Sequence, residues 1–379
     1  MFNNKKASVS GTFYPSDKTE LLNMIDNFKC KESGYFSRAV IVPHAGYIYS
    51  GELANCGISH LRQNAKNVFI FAPAHFERIF GCVTCNYDAF ETPLGNIEVN
   101  KELSKEISNF CDCQINNFAF EKEHSLEVQL PLIKKHLPDA KVIPVLYGCE
   151  NFTNLAETIK HFWDNDENVF VISSDLSHFY PEKESCKIDS YTAKMIESNE
   201  TRDFEMEQAC GAVGICGLTD FAKNNKFSLI RIGLTNSARV TGDSSRVVGY
   251  GSWFLYEGEK NQYIKEYFSD TVLKICKDSI LSGFQLGEIK PKDYPCVLEA
   301  YGAAFVTLEL AGILRGCIGS IIAHRPLVKD LIKNAHAAAF ADPRFNPLTL
   351  DEYNKISISV SLLSKPERIE FKDEEDLLD

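Results

Sequence analysis

The chain alternates short, nearly continuous apolar runs with longer stretches of helical periodicity. Between residues 38 and 256 the runs are "RAVIVPHAG" (38–46), "NVFIFAPAH" (67–75), "KVIPVLYG" (141–148), "NVFVISSDLSH" (168–178) and "SRVVGYGSWFLY" (245–256). The first four scarcely alternate with polar residues, which is the pattern of strands buried on both faces. Helical stretches separate the runs at 51–64, 101–110, 125–136, 152–163 and 187–198. This order predicts an α/β fold, a largely parallel central sheet with helices on both faces. Pro131 falls inside the third helical stretch and should kink it or cut it short.

The polar segment "YEGEKNQ" (256–262) interrupts this pattern. Beyond it, Ile264, Phe268, Val272, Ile275 and Ile280 share one helical face. Two strand-like runs follow around a turn, at 303–312 and 314–323. A helical pattern comes next, at 328–342, and then the alternating "ISISVSLLS" (356–364). The expected division is an α/β domain over 1–258 and a smaller α+β domain over 259–379. A length of 379 residues suits two cores better than one. The acidic end "FKDEEDLLD" reads as a solvated tail.

Composition narrows the partners. The formal net charge is -12, so the chain lacks the basic footprint that nucleic acid or an anionic membrane demands. No apolar run approaches the roughly 20 residues that span a bilayer, and the N-terminus lacks the apolar core of a secretion signal. The 13 cysteines are odd in number and scattered, unlike the framework of a small secreted scaffold. The expectation is a cytoplasmic protein with mostly buried free thiols. Cys82 and Cys85 have CxxC spacing, but a strand would point them to opposite faces.

Three apolar runs end on histidine: His44, His75 and His178. In open α/β sheets, ligands gather at the carboxyl ends of the strands. Ala45, Gly46, Ala72, Ala74, Ser173, Ser174 and Ser177 are small enough to let these rings converge. Neutral imidazole is a metal ligand and a proton carrier near neutral pH. His60, His136 and His161 instead fall near expected helix C-termini, where a cation suits the helix dipole. His124 opens "HSLEVQLPLI", with Ser125 the expected N-cap and Glu127 one turn on. Two readings stand for it: a His–Glu pair tuning a metal site, or a capped, exposed helix start. Serine chemistry has little support, because no G-x-S-x-G elbow accompanies Ser173, Ser174 or Ser177.

These residues sit in motifs that occur in order: "ASVSGTFYPSD", "VPHAGYIYSG", "FAPAHF", "ETPLGNIEV", "EHSLEVQLPLI", "SSDLSHF" and "DSSRVVGYGSW". Together they resemble the Memo family, named for mediator of cell motility. That family resembles class III nonheme-iron extradiol dioxygenases in fold. The resemblance implies Fe(II) or another divalent metal at His44 and His75, with His178 at the acid/base position and His124 facing the pocket. Tyr47 and Asp175 lie in the same motifs, as candidate substrate-binding residues. A facial triad wants a third, anionic ligand. Family members tend to place Cys or Asp shortly before the last strand, where this chain has Ala238 and Arg239. Arginine has no acceptor with which to ligate a metal, so Asp243 or His178 is expected to complete the set. An arginine in the pocket would also favour an anion. Two function classes follow. One is a divalent-metal-dependent oxidoreductase or modification enzyme acting on a small molecule or peptide. The other is a non-catalytic module that binds an anionic peptide or metabolite.

"LRGCIGS" (314–320), "NAHAAAFADPRFNPLT" (334–349) and "ISVSLLSKP" (358–366) look like an AMMECR-type domain that stops before such a domain usually finishes. In bacteria this domain is often encoded with a Memo domain and a radical SAM protein, which implies such a partner. The oligomeric state stays open. Within this half, Arg315 would make Cys317 reactive if it reached the thiol. The other reading of Cys317 is a small residue packed in a sheet. Arg344, Asp342 and His336 are candidates for the same face.

Overall fold

The computed structural model describes residues 3–30, 34–111, 113–148, 152–200, 204, 207–286 and 294–366. The acidic tail at 371–379 lies outside the described residues. The chain divides into two compact units, Met1–Lys260 and Asn261–Asp379.

The first unit is built on a nine-stranded sheet. Its centre is four parallel strands in the order Ala39–Val42, Asn168–Ser173, Asn67–Pro73, Lys141–Tyr147. Every residue of the first three is buried, as their unbroken apolar runs require. On each flank the next strand is antiparallel. Val247–Tyr256 pairs Trp253 with Ile41, and Cys82–Thr84 pairs Val83 with Leu146. Val247–Tyr256 also carries Ser228–Asn236 along its length and His178–Tyr180 at its start. The sheet is therefore mixed, with a parallel centre.

Strand alternation decides which helix covers which face. Ile41, Phe69, Phe71, Ile143, Phe170 and Ile172 point to one side. There they pack on Leu155, Ile159 and Phe162 of helix Phe152–Trp163 and on Ile215, Leu218 and Phe221 of helix Ala212–Asn224. Val42 points the other way, against helix Glu52–Ser59. Gly57 in that helix is so close that a Cβ would come within 2.3 Å of Val42 Cγ1. Helices thus cover both faces.

Several local expectations change. Helix Ala212–Asn224 escapes periodicity because it is buried almost all round and lacks a clear polar face. The 125–136 stretch is two helices, His124–Glu127 and Leu130–His136, with Pro131 in the first turn of the second. Proline is tolerated there because that N–H has no intrahelical partner. The cap of the first helix is Glu123, whose side chain accepts from the Ser125 N–H. Cys30 and Cys56 form a disulfide that ties the chain before strand Ala39–Val42 to helix Glu52–Ser59, and ten other cysteines among the described residues are free.

The second unit holds a three-stranded antiparallel sheet in the order Ile313–Gly319, Ala303–Leu310, Ile356–Leu363. Helix Leu327–Phe340 packs against it. Gly316 is required there, since a Cβ would lie 2.1 Å from the Ala338 carbonyl oxygen. Among the described residues, no helix is long and apolar enough to cross a membrane.

Candidate metal centre

Three neighbouring parallel strands open their carboxyl ends on one edge. His44 follows Ala39–Val42 by two residues, and His75 follows Asn67–Pro73 by two. The strand between them ends in Ser173, with Ser174 and Asp175 just beyond. His124 arrives on its own short helix, which Ser125 fastens to the sheet by donating its hydroxyl to the Pro73 carbonyl at 2.7 Å. The ring centroids lie 5.3 Å apart for His44 and His75, 5.6 Å for His44 and His124, and 4.8 Å for His75 and His124. One ligand atom from each histidine lies within 4.8 Å of the other two, a grouping that can hold a metal ion.

Hydrogen bonding fixes which nitrogens are available. The Ser173 hydroxyl donates to the Ser125 carbonyl at 2.6 Å and accepts from Gln129 Nε2 at 3.0 Å. Its only proton is committed, so it accepts from His44 Nδ1 at 2.9 Å. His44 then keeps its lone pair on Nε2. His75 Nδ1 lies 3.0 Å from Glu123 Oε1 and donates to it, which likewise leaves Nε2 with the lone pair. His124 Nδ1 is buried and makes no hydrogen bond among the described residues, although Glu123 Oε1 is 3.4 Å away. An orphaned imidazole nitrogen beside two rings oriented by polar partners fits a bound cation.

The electrostatics agree. Burial first, then the neighbouring His75, His124 and His178, hold the His44 pKa well below 6.5. Burial also lowers His124 and His178, with His75 adding to both. His44, His124 and His178 are therefore neutral near pH 7, the form that ligates metal. Burial alone would raise Glu123. Hydrogen bonds from the His75 ring, the His75 backbone and the Ser125 backbone outweigh it and hold Glu123 at about 2. Burial pushes Asp175 up to about 7, against the opposing pull of the His44 and Ala45 backbone N–H groups. Asp175 Oδ1 accepts the His44 N–H at 2.8 Å.

The remaining candidates divide. His178 begins strand His178–Tyr180 and is close enough to depress His44, but the third imidazole of the group is His124. Asp243 does not join the histidines. Its carboxylate is fully exposed and accepts from the Ser245 N–H and hydroxyl in a surface turn. Arg239 is exposed and lines a groove that contains none of these histidines. Tyr47 is buried, and its hydroxyl donates to the Val128 carbonyl at 2.7 Å. It holds the two segments together and presents no polar group to a substrate. Glu127 does not pair with His124. It accepts from Lys5 Nζ, the Ser8 N–H and hydroxyl, the Val9 N–H and the Tyr14 hydroxyl, all at 2.6–2.9 Å. This clamp lays Phe13 against the His124 ring at 4.9 Å.

Sequence reasoning missed two residues. Glu123 sits immediately before His124, inside the EHS motif. Cys210 places its Sγ 3.3 Å from His44 Nε2. Burial and then Asp175 raise the Cys210 pKa, and the thiol lies beside the His44 nitrogen that keeps its lone pair. Its signal is Gly211: a Cβ there would meet Ser174 Cβ at 2.5 Å, so only glycine lets this backbone approach the strand end.

In the second unit, Arg315 forms a bidentate pair with Glu352 at 2.9 and 3.1 Å. Arg344 donates to the Cys317 carbonyl at 3.0 Å, and Asp342 accepts the Cys317 N–H at 2.8 Å. The thiol lies 3.3 Å from the Thr307 hydroxyl, and His336 packs on Phe340. Arg315, Asp342 and Arg344 thus brace strand Ile313–Gly319.

Comparison with known proteins agrees with both halves of the motif pattern. A family model described as Memo-like protein matches residues 5–254, and one described as AMMECR1 matches 273–378. A MEMO1 family protein of Aquifex aeolicus is 31% identical over 266 residues, covering 66% of this chain and 99% of that protein. One from Methanobrevibacter smithii is 31% identical over 278 residues, covering 65% and 98%. A solved structure, uncharacterized protein PH0010 from Pyrococcus horikoshii, is 34% identical with a TM-score of 0.25. That likeness covers 26% of this chain and 53% of that one. The Memo match extends over more than half of the sequence, and the chain belongs to the Memo family, with an AMMECR1 region following its Memo region.

Proposed function

We propose that the first unit is a metal-dependent enzyme that holds Fe(II) or another divalent cation at His44, His75 and His124. One observation carries this reading: His44 and His75 each have Nδ1 tied to an acceptor, while the buried Nδ1 of His124 has no hydrogen-bond partner among the described residues. An ion bound there would supply Lewis-acid or redox chemistry, as in the nonheme-iron dioxygenases the family resembles. Three neutral imidazoles leave the dication's charge uncompensated, which favours a substrate that brings an anionic oxygen. Exposed Ile48, Phe76 and Phe179, close in sequence to His44, His75 and His178, suit an apolar or aromatic body for that small molecule or peptide. His178 and Asp175 are the proton carriers of this reading, an oxidoreductase or modification enzyme. A radical SAM protein is the proposed partner, on the strength of the AMMECR1 region.

The test is metal content after anaerobic preparation, for wild type and for His44→Ala, His75→Ala and His124→Ala. Near-stoichiometric metal in the wild type, lost in each variant, is expected. Equal, near-zero content in all four would end the proposal.

A further inference from the structure

A concavity lies between helix Glu182–Glu197 and strand Ser228–Asn236, with the turn after that strand forming its rim. It measures about 360 Å³ and shares no lining residue with the histidine cluster. That volume is at the small end of metabolite pockets. We infer that this groove binds a small zwitterion, a free amino acid or dipeptide, with its carboxylate on Arg239 and its ammonium on Glu182.

The charge pattern carries the inference. Arg239 has no ion pair or hydrogen bond among the described residues. It offers a planar fork suited to a carboxylate. Glu182 is half-buried, and its one side-chain hydrogen bond among the described residues is a long one, 3.4 Å from Asn236 Nδ2. The second carboxylate in the wall, Asp189, is already engaged. Its oxygens accept from the Ser177 N–H at 3.1 Å and the Ser185 hydroxyl at 3.1 Å. Among the described residues, a cation and a carboxylate that have no ion pair therefore line the same small volume. A simple anion would meet Glu182, and a simple cation would meet Arg239. A molecule carrying both charges satisfies each. Asn236 and Ser244 add amide and hydroxyl groups for hydrogen bonding. Cys186 lies 3.6 Å from Asn236 Nδ2 and contributes a neutral thiol. The wall has only one apolar side chain of any size, Leu234, so recognition rests on the charged ends.

The experiment is calorimetry and thermal shift of the full chain against the common amino acids and a set of glycyl dipeptides. Each is paired with its N-acetyl and its methyl-ester form. At least one zwitterion is expected to bind, with each blocked form weaker by about tenfold or more, the usual loss of one charge-assisted contact. Arg239→Ala should erase the difference between acid and ester. Glu182→Gln should erase the difference between amine and N-acetyl. Both positions are at least partly exposed, so these variants should fold, and their unliganded melting temperatures check it. His44→Ala should leave the binding unchanged, which separates this site from the metal centre. Failure of every panel member to bind overturns the inference, as does a bound zwitterion whose affinity neither variant alters.

Discussion

The Glu123 carboxylate grips His75 at two points. Oε1 accepts from the imidazole Nδ1 at 3.0 Å, and Oε2 accepts from the His75 backbone N–H at 2.5 Å. The same carboxylate caps the helix that brings in His124. One acid therefore sets the tautomer of one ring and the position of another.

Glu123→Gln should weaken metal binding without removing it. A neutral amide cannot supply the carboxylate that raises the basicity of a ligating ring. Loss of such a partner costs about 10- to 100-fold in affinity. Competition with a chelator of known affinity measures it. An unchanged constant would mean that Glu123 serves only as a helix cap.

Exchanging the roles of His124 and His178 separates two readings of the site. His124→Ala is expected to strip the metal. His178→Ala is expected to leave metal content near that of the wild type, because His178 lies outside the ligand group. The opposite outcome would return the third position to the strand-end histidine.

Part of this arrangement was legible in the chain. Buried strands announce themselves by unbroken apolar runs, and His44 and His75 stand where those runs stop. The third imidazole of the group was not legible. Choosing His124 over His178 needs the spatial order of the strands and the docking of Ser125 on Pro73, and neither leaves a local mark. The two acids considered for the site lie elsewhere for a similar reason. Glu127 looks like its partner by helical spacing, but residues 5–14 arrive from far along the chain and occupy it. Asp243 was chosen by closeness in sequence, and its turn points it into solvent. The C-terminal strands followed the alternating pattern, whereas the use of Arg315, Asp342 and Arg344 as braces depends on cross-strand and loop contacts.

Glu127→Gln tests the N-terminal clamp. Lys5 and Glu127 are both buried, and their side chains meet at 2.7 Å. Removing one member of a buried pair leaves the other uncompensated, at a cost of about 3–5 kcal/mol. Burial would raise the Glu127 pKa, but Lys5, Ser8 and Val9 lower it below 4.5. Its stabilisation is therefore present above pH 4.5 and lost as the pH falls through the lower folded value. Urea titrations should show a less stable variant near pH 7 whose deficit shrinks in acid. Lys5→Met combined with Glu127→Gln should recover part of the loss. A deficit independent of pH would argue that the neutral hydrogen bonds, not the charge, hold the segment.

Asp189 should behave in the opposite sense. It is buried, and burial raises its pKa from 3.8 to about 6, although Ser177 and Ser185 pull the other way. A raised acid stabilises the fold while protonated. That contribution is complete below pH 3.8 and is lost as the pH rises to about 6, on the order of 3 kcal/mol by pH 7. Asparagine keeps an acceptor for the Ser177 N–H. The Ser185 hydroxyl can reverse, because it shares a 2.8 Å contact with Ser177 Oγ in which either oxygen can donate. Asp189→Asn should therefore match or exceed the wild type at pH 7 and lack the wild type's decline between pH 4 and 6. Denaturant midpoints across that window measure it. A variant that keeps the same decline would show that another buried acid, with Asp175 the first suspect, sets the pH dependence.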